Sequence, residues 1–166
     1  MSRPIETAAF LKTVRLFQEF AEPELLAFAS RLREVSLRKG QILFREGQAG
    51  QEMFVVRRGT VVISKAVTGR VEQVLGREEA GSFFGEMSLF DQEPRSATVQ
   101  AETDVTLLAL DRGNLNLLIE VGPRAAAAFF RALVQVFIAR LRASGNLVAE
   151  ATRWGLQATG LDVESR

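Results

Sequence analysis

Glu86 and Arg95 stand nine positions apart in the run Phe84-Gly85-Glu86-Met87-Ser88-Leu89-Phe90-Asp91-Gln92-Glu93-Pro94-Arg95-Ser96-Ala97-Thr98. A carboxylate accepts hydrogen bonds from the hydroxyl groups of a sugar, and a guanidinium grips a phosphate through two parallel N–H bonds. Held a few ångströms apart, the two groups fit a ribose phosphate. Their neighbours are apolar: Phe83, Phe84, Met87, Leu89, Phe90, Ala97 and Val99. An arginine buried among such side chains needs a partner. On the residues alone two partners are open, a ligand's phosphate or Glu86 itself in an internal salt bridge with no ligand.

Other chemistry is excluded by what the chain lacks. There is no histidine and no cysteine in its 166 residues. That removes the usual transition-metal ligands except carboxylates, the cysteine and Ser–His nucleophile systems, and histidine as a general base. No compact pair of carboxylates stands out for acid–base work. Neither an enzyme nor a metal site is expected. The formal net charge is +1, and no Lys/Arg cluster suggests a nucleic-acid footprint. No apolar run approaches the roughly 18 to 20 residues needed to span a bilayer. Residues 1–9 carry Arg3 and Glu6 but no apolar h-region, so no secretory leader is expected. With no disulfide possible, a reducing compartment is compatible and cytoplasm is the expected location. At 47% hydrophobic and 25% charged residues, the composition is that of a folded chain forming one domain overall.

Three stretches must position Glu86 and Arg95. Residues 1–34 read as helical. Phe10, Leu11, Val14, Leu16, Phe17 and Phe20 recur at helical spacing, and Glu22-Pro23-Glu24 opens a second helix carrying Leu25, Leu26, Phe28, Ala29 and Leu32. Residues 35–111 read as β, with short apolar runs at Met53–Val56, Val61–Ile63 and Val105–Leu110 punctuated by glycines such as Gly40, Gly47 and Gly59. Strands at roughly 8 to 12 residue spacing predict a sandwich or barrel, the jelly roll included. From 112 to 166 the helical period returns: a short helix ends near Gly122, and Pro123 starts a long one with a bend or stop expected at Gly145.

The run 84–98 resembles the phosphate-binding cassette of the cyclic-nucleotide-binding domain, the module shared by catabolite-activator-type regulators, cyclic-nucleotide-dependent kinases and gated channels. Phe-Gly-Glu, an apolar residue, a small residue, Leu, a polar stretch and then Pro-Arg-Ser-Ala-Thr fill the family pattern in register, and the similarity spans roughly residues 12 to 145. The resemblance implies an α+β fold: a β-jelly-roll (a double-stranded β-helix) flanked by N-terminal helices and a long C-terminal helix. It implies that Glu86 takes the ribose 2′-hydroxyl and Arg95 the cyclic phosphate. Backbone N–H groups from Gly85 through Met87 to Ser88 would face the same phosphate, after Phe84. Ser96 and Ala97 would add contacts to phosphate or base, and Leu75 would line the wall under the base. Ser96, following the arginine, resembles the bacterial cyclic-AMP regulators, so cyclic AMP is expected ahead of cyclic GMP as ligand. Two departures stand out: Ser88 replaces the more usual alanine or glycine, and Glu78-Glu79-Ala80-Gly81 replaces a Leu-Gly-Pro-Gly corner.

The ends of the chain bear on output. Bacterial transcription factors of this family continue into a winged helix-turn-helix, whereas about twenty residues follow Leu141–Ala143 here without such a pattern. Neither DNA nor membrane is an expected partner. A sensor without catalysis, acting through rearrangement of its C-terminal helix and contact with an unidentified protein, is expected. Phe130, Leu133, Phe137, Leu141 and Val148 form one stripe, either packed on the roll or used for a homodimer. Trp154, the single tryptophan, is either a lid stacked on the base or a plug against the roll. The alternative function is a ligand-free interaction or scaffold domain of the same fold, closed by a Glu86–Arg95 salt bridge.

Overall fold

The computed structural model describes residues 3–69 and 71–158. Helix α1 (Arg3–Leu11), a 3-10 turn (Arg15–Phe17) and α2 (Glu22–Ala29) precede the sheets. Pro23 occupies the first turn of α2, where its missing N–H has no intrahelical partner to lose. The Glu24 carboxylate accepts from the Ala21 N–H at 2.8 Å, satisfying another donor of that turn.

Eight strands follow: β1 (Arg33–Leu37), β2 (Ile42–Phe44), β3 (Glu52–Arg58), β4 (Thr60–Thr68), β5 (Val71–Glu79), β6 (Phe83–Phe84), β7 (Thr98–Ala101) and β8 (Val105–Asp111). They form two antiparallel four-stranded sheets in the orders β1-β8-β3-β6 and β2-β7-β4-β5. First pairs with last, second with seventh, third with sixth and fourth with fifth. That nested pairing is a long hairpin coiled into a jelly roll.

Residues in β3 and β8 alternate between two cores. Phe54, Val56, Leu107 and Ala109 face the space between the sheets, with Val61, Phe84, Val99, Ala101 and Val105. Met53, Val55, Leu108 and Leu110 face outward, under Leu11, Phe17, Phe20, Phe28 and Phe129 of the helical layer. Because both faces of these strands are covered, Met53–Val56 and Leu107–Leu110 are continuous apolar runs rather than alternating ones.

Helix α3 (Arg112–Val121) is capped reciprocally. The Asp111 carboxylate accepts from the Asn114 N–H at 2.9 Å, and the Asn114 side-chain oxygen accepts from the Asp111 N–H at 2.9 Å. Helix α4 (Pro123–Ala158) then runs 36 residues, about 54 Å at 1.5 Å per residue. It does not stop at Gly145, where the sequence led us to expect a bend or end; a single glycine weakens a helix by only about 1 kcal/mol. The expected stripe divides along its length. Leu133 is buried and Phe130 and Phe137 pack against the helical core, whereas Leu141 and Val148 lie in the exposed second half. No helix among the described residues is long and apolar enough to cross a membrane.

Candidate functional site

The cassette is anchored at its start by strand pairing. Phe84 of β6 opposes Phe54 of β3, and their rings stack with centroids 5.5 Å apart. Gly85 then adopts a left-handed conformation (φ 75°), which a residue without Cβ does at no steric cost, and turns the chain into a 3-10 helix over Glu86–Leu89. The far end is closed by Arg112 at the start of α3. Its Nε donates to the Leu89 carbonyl at 3.0 Å and its Nη2 to the Asp91 carbonyl at 2.6 Å. Arg95 is then fixed by its backbone to the β2–β3 loop: its N–H donates to the Gln48 carbonyl and its carbonyl accepts from the Gly47 N–H, both at 2.8 Å.

The Arg95 side chain turns inward and is 6% exposed. Its Nη1 donates to the Glu52 carbonyl at 2.8 Å, to Ser88 Oγ at 3.0 Å and toward the Gly85 carbonyl at 3.5 Å. The guanidinium carbon lies 4.1 Å from the Phe44 ring centroid and 5.7 Å from that of Phe54, cation–π contacts that strengthen away from water. Burial pushes the guanidinium below its ordinary pKa while Glu52 opposes the shift; an arginine nevertheless stays charged in a protein. Its Nε is buried and meets no acceptor. An unsatisfied buried donor costs about 1–3 kcal/mol, so it marks a position where an acceptor belongs.

Glu86 is 3% exposed and is held from elsewhere. Arg140, halfway along α4, donates from Nη1 to Glu86 Oε1. The same guanidinium donates to the Phe83 carbonyl at 3.3 Å, lies 3.7 Å from the Glu78 carboxylate and sits over the Phe83 ring at 5.8 Å. Burial pushes the Glu86 carboxyl above its ordinary value of 4.5; Arg140 and a backbone hydrogen bond pull it down, and Glu78 pushes it up again. The arrangement combines a seated cation able to grip an anion with a desolvated carboxylate able to accept from a hydroxyl group.

The internal Glu86–Arg95 salt bridge weighed from the sequence does not form. Glu86 pairs with Arg140, and Arg95 uses the carbonyls of Glu52 and Gly85 and the Ser88 hydroxyl. The physical reason is that Arg95 finds its acceptors in β3 and the 3-10 turn, whereas Glu86 meets a cation brought by α4, so the two charges are satisfied separately. Ser88, which the sequence marks only as a tolerated departure, supplies one of those acceptors. Phe84 and Ala97 are buried as packing residues, Met87 is 55% exposed, and Ser96 is exposed with its carbonyl accepting from Lys65 Nζ at 3.2 Å. Leu75 is the bulged residue between the pairs Ile63–Gly76 and Ser64–Val74 and is 55% exposed, a bulge being a device that re-aims side chains. Trp154 is 73% exposed near the end of α4, and no described contact brings it to the cassette. A cavity of about 560 Å³ reaches Arg95 from the β1–β2 edge, past Arg33, Phe44, Gln48 and Gly50. Glu86 is not on its wall, so this cavity reaches the Arg95 end of the cassette alone.

Sequence reasoning missed Arg140, Arg112 and Phe44. Arg140 did leave a signal: it continues the buried Leu133 and half-buried Phe137 at helical spacing, where a charge on a core-facing stripe calls for a partner.

The profile of the family described as cyclic nucleotide-binding domain matches residues 34–121. A cyclic nucleotide-gated potassium channel of Mesorhizobium japonicum is 40% identical over 116 residues, 70% of this chain and 31% of the channel. A CRP-like cAMP-activated global transcriptional regulator of Mycobacterium tuberculosis is 27% identical over 135 residues, 81% of this chain and 58% of the regulator. The chain thus spans 31% and 58% of the length of these two relatives. Among solved structures, a cyclic nucleotide-binding domain from Methylobacillus flagellatus superposes with a TM-score of 0.74 at 25% identity, covering 88% of this chain and 82% of that one. With that profile matching more than half of its 166 residues, and Glu86 and Arg95 both buried in the cassette, the chain belongs to the cyclic nucleotide-binding domain family.

Proposed function

We propose that the chain is a cyclic-nucleotide sensor without catalytic activity, with Arg95 on the cyclic phosphate and Glu86 on the ribose 2′-hydroxyl. The observation that carries this reading is the buried Arg95 with an Nε that meets no acceptor. A cyclic phosphate supplies one, in the paired N–H geometry that guanidinium and phosphate favour. Backbone N–H groups from Gly85 to Met87 are further candidate donors to the phosphate, the Ser88 N–H already donating to the Gly85 carbonyl at 3.3 Å, and the exposed Leu75 offers an apolar surface for the base. Cyclic AMP is favoured over cyclic GMP on the serine at position 96 alone, since the similar proteins include both a cAMP-activated regulator and cGMP-dependent kinases.

Output runs through α4. Arg140 ties the ribose-binding carboxylate to that helix, so a ligand engaging Glu86 changes what holds the helix to the roll. The free energy for the change is the ligand's differential affinity for the two helix positions. Beyond Arg140 the helix exposes Leu141 and Val148, which extend the Leu133–Phe137 stripe and suit a protein contact, a second copy of this chain included.

Thermal unfolding of nucleotide-free protein with cyclic AMP, cyclic GMP and 5′-AMP, beside Arg95→Ala, tests the reading. A ligand at one hundred times its dissociation constant adds about 2.7 kcal/mol, which for a chain of this size raises the midpoint by roughly 5 to 10 °C. A rise with one cyclic nucleotide, absent in Arg95→Ala and absent with 5′-AMP, is the expected result. No rise with any of the three overturns it.

A further inference from the structure

Gly50 is not held to glycine by a left-handed backbone. Unlike Gly47 (φ 82°) and Gly85 (φ 75°), it does not occupy the left-handed region. What requires the missing side chain is Arg95. A Cβ at position 50 would lie 2.1 Å from Nε, 2.5 Å from Cζ and 2.6 Å from Nη2, all closer than the 3.0 Å below which a Cβ essentially never approaches a non-bonded atom. All three atoms belong to the Nε–Nη2 edge, the edge left over once Nη1 is committed to Glu52, Gly85 and Ser88. A long side chain ordinarily escapes such a collision by swinging away. Here swinging breaks the bonds to the Glu52 carbonyl and Ser88 Oγ and lifts the guanidinium off the Phe44 ring 4.1 Å away.

We propose that Gly50 is the positioning residue for Arg95: bare backbone at this point of the β2–β3 loop lets the Nε–Nη2 edge of the guanidinium pack against it, and any side chain there would push the guanidinium out of the seat from which it grips the anion. The consequence for binding rests on the cyclic-nucleotide reading above; the seat itself does not. Gly50 never touches the ligand in this scheme and acts through Arg95 alone. Phe44 holds the guanidinium by its ring and Gly50 holds it by having no side chain.

A double-mutant cycle over Gly50→Ala and Arg95→Ala tests the assignment in two readouts. In urea unfolding of nucleotide-free protein, Gly50→Ala lowers the midpoint when Arg95 is present. With Arg95→Ala it leaves the midpoint unchanged or raises it, because the new methyl fills vacated space. A Gly50→Ala variant that does not fold, beside a double variant that does, is the same result in extreme form. In calorimetric titration with cyclic AMP and cyclic GMP, Gly50→Ala weakens binding about tenfold or more, the loss of one charge-assisted hydrogen bond, and adds nothing on top of Arg95→Ala. Equal destabilisation in both backgrounds, or failure of both variants to fold, places the need for glycine in the loop itself and overturns the proposal. If the unsubstituted protein binds neither nucleotide, the functional reading fails while the unfolding cycle still decides the seat.

Discussion

Arg95 and Glu86 are buried charges of one loop, yet different parts of the molecule hold them. Every group around Arg95 belongs to the roll: Phe44, Gly50, the Glu52 carbonyl, Phe54 and Ser88. Glu86 takes its cation from α4, 54 residues further along the chain. On the proposed roles, the phosphate half of the site is therefore complete once the sheets have closed, and the ribose half only when the helix is docked. A ligand that needs both halves reads the position of α4, and by linkage the position of α4 is read into the ligand's affinity.

Removing each charge in turn is the strongest attempt to break that contrast. Arg95→Ala takes away a paired, charge-assisted grip, and at about 1.5–3 kcal/mol per such hydrogen bond the affinity for cyclic nucleotide falls by a hundredfold or more. Hydrogen exchange in α4 stays as it was. Glu86→Gln loses one charged acceptor, so affinity falls roughly tenfold to a hundredfold, and exchange beyond Phe137 accelerates because Arg140 has lost its buried partner. Equal effects of the two substitutions on α4 would erase the distinction between the halves.

Glu86→Gln also has a pH signature. Burial holds the Glu86 carboxyl above 4.5 in the folded chain, so the folded state binds this proton more tightly than the unfolded state. Its contribution to stability is then fully present below 4.5 and declines as pH rises through the folded-state pKa, above which it is level. Urea titrations across that window should show the unsubstituted protein losing stability relative to Glu86→Gln as pH rises. A gap that widens in favour of the unsubstituted protein contradicts the shift.

Arg140→Ala separates binding from response. Arg95 and its neighbours are untouched, so binding persists within about tenfold, the loss coming from a carboxyl that ionises less readily without its cation. What disappears is the change in α4 exchange on adding cyclic nucleotide. A helix that still responds in this variant has another connection to the ligand.

How much of this was legible in the sequence follows from how local each feature is. The cassette could be read because its turn, acid and arginine lie within one short run. Gly85 is needed at a positive φ, Pro94 precedes Arg95, and the apolar flanks announce burial. Strands β3 and β8 could be read as apolar runs, but only the structure shows that Met53 and Phe54 face different cores. The choice of partner for Glu86 was hidden. Nothing local favours Arg140 over Arg95, and the pairing is decided by where a helix 54 residues away lands on the roll. Gly50 was hidden for the opposite reason: a glycine in a β-rich stretch is ordinarily a turn former, and only a measured clearance of 2.1 Å to Arg95 shows a different need.

The smallest predicted effect, that of Glu78→Gln, asks whether Arg140 has somewhere to go when a ribose engages Glu86. The Glu78 carboxylate lies 3.7 Å from Arg140, whose side chain is 44% exposed. A pair this wet contributes at most about 1 kcal/mol and is screened by salt. Its effect on the unfolding midpoint and on affinity should therefore stay within a few-fold and vanish in concentrated salt. Its effect on coupling is the sharper readout. Two carboxylates share one guanidinium, so with Glu78 present Arg140 keeps a partner on the roll after ligand arrives and α4 loosens only in part. Without Glu78, Arg140 has Glu86 alone, and cyclic nucleotide should accelerate exchange beyond Phe137 more than it does in the unsubstituted protein at low salt. If the ligand-dependent change in exchange is the same in both, Arg140 keeps its hold on Glu86 throughout binding, and the ribose half of the site is as fixed as the phosphate half.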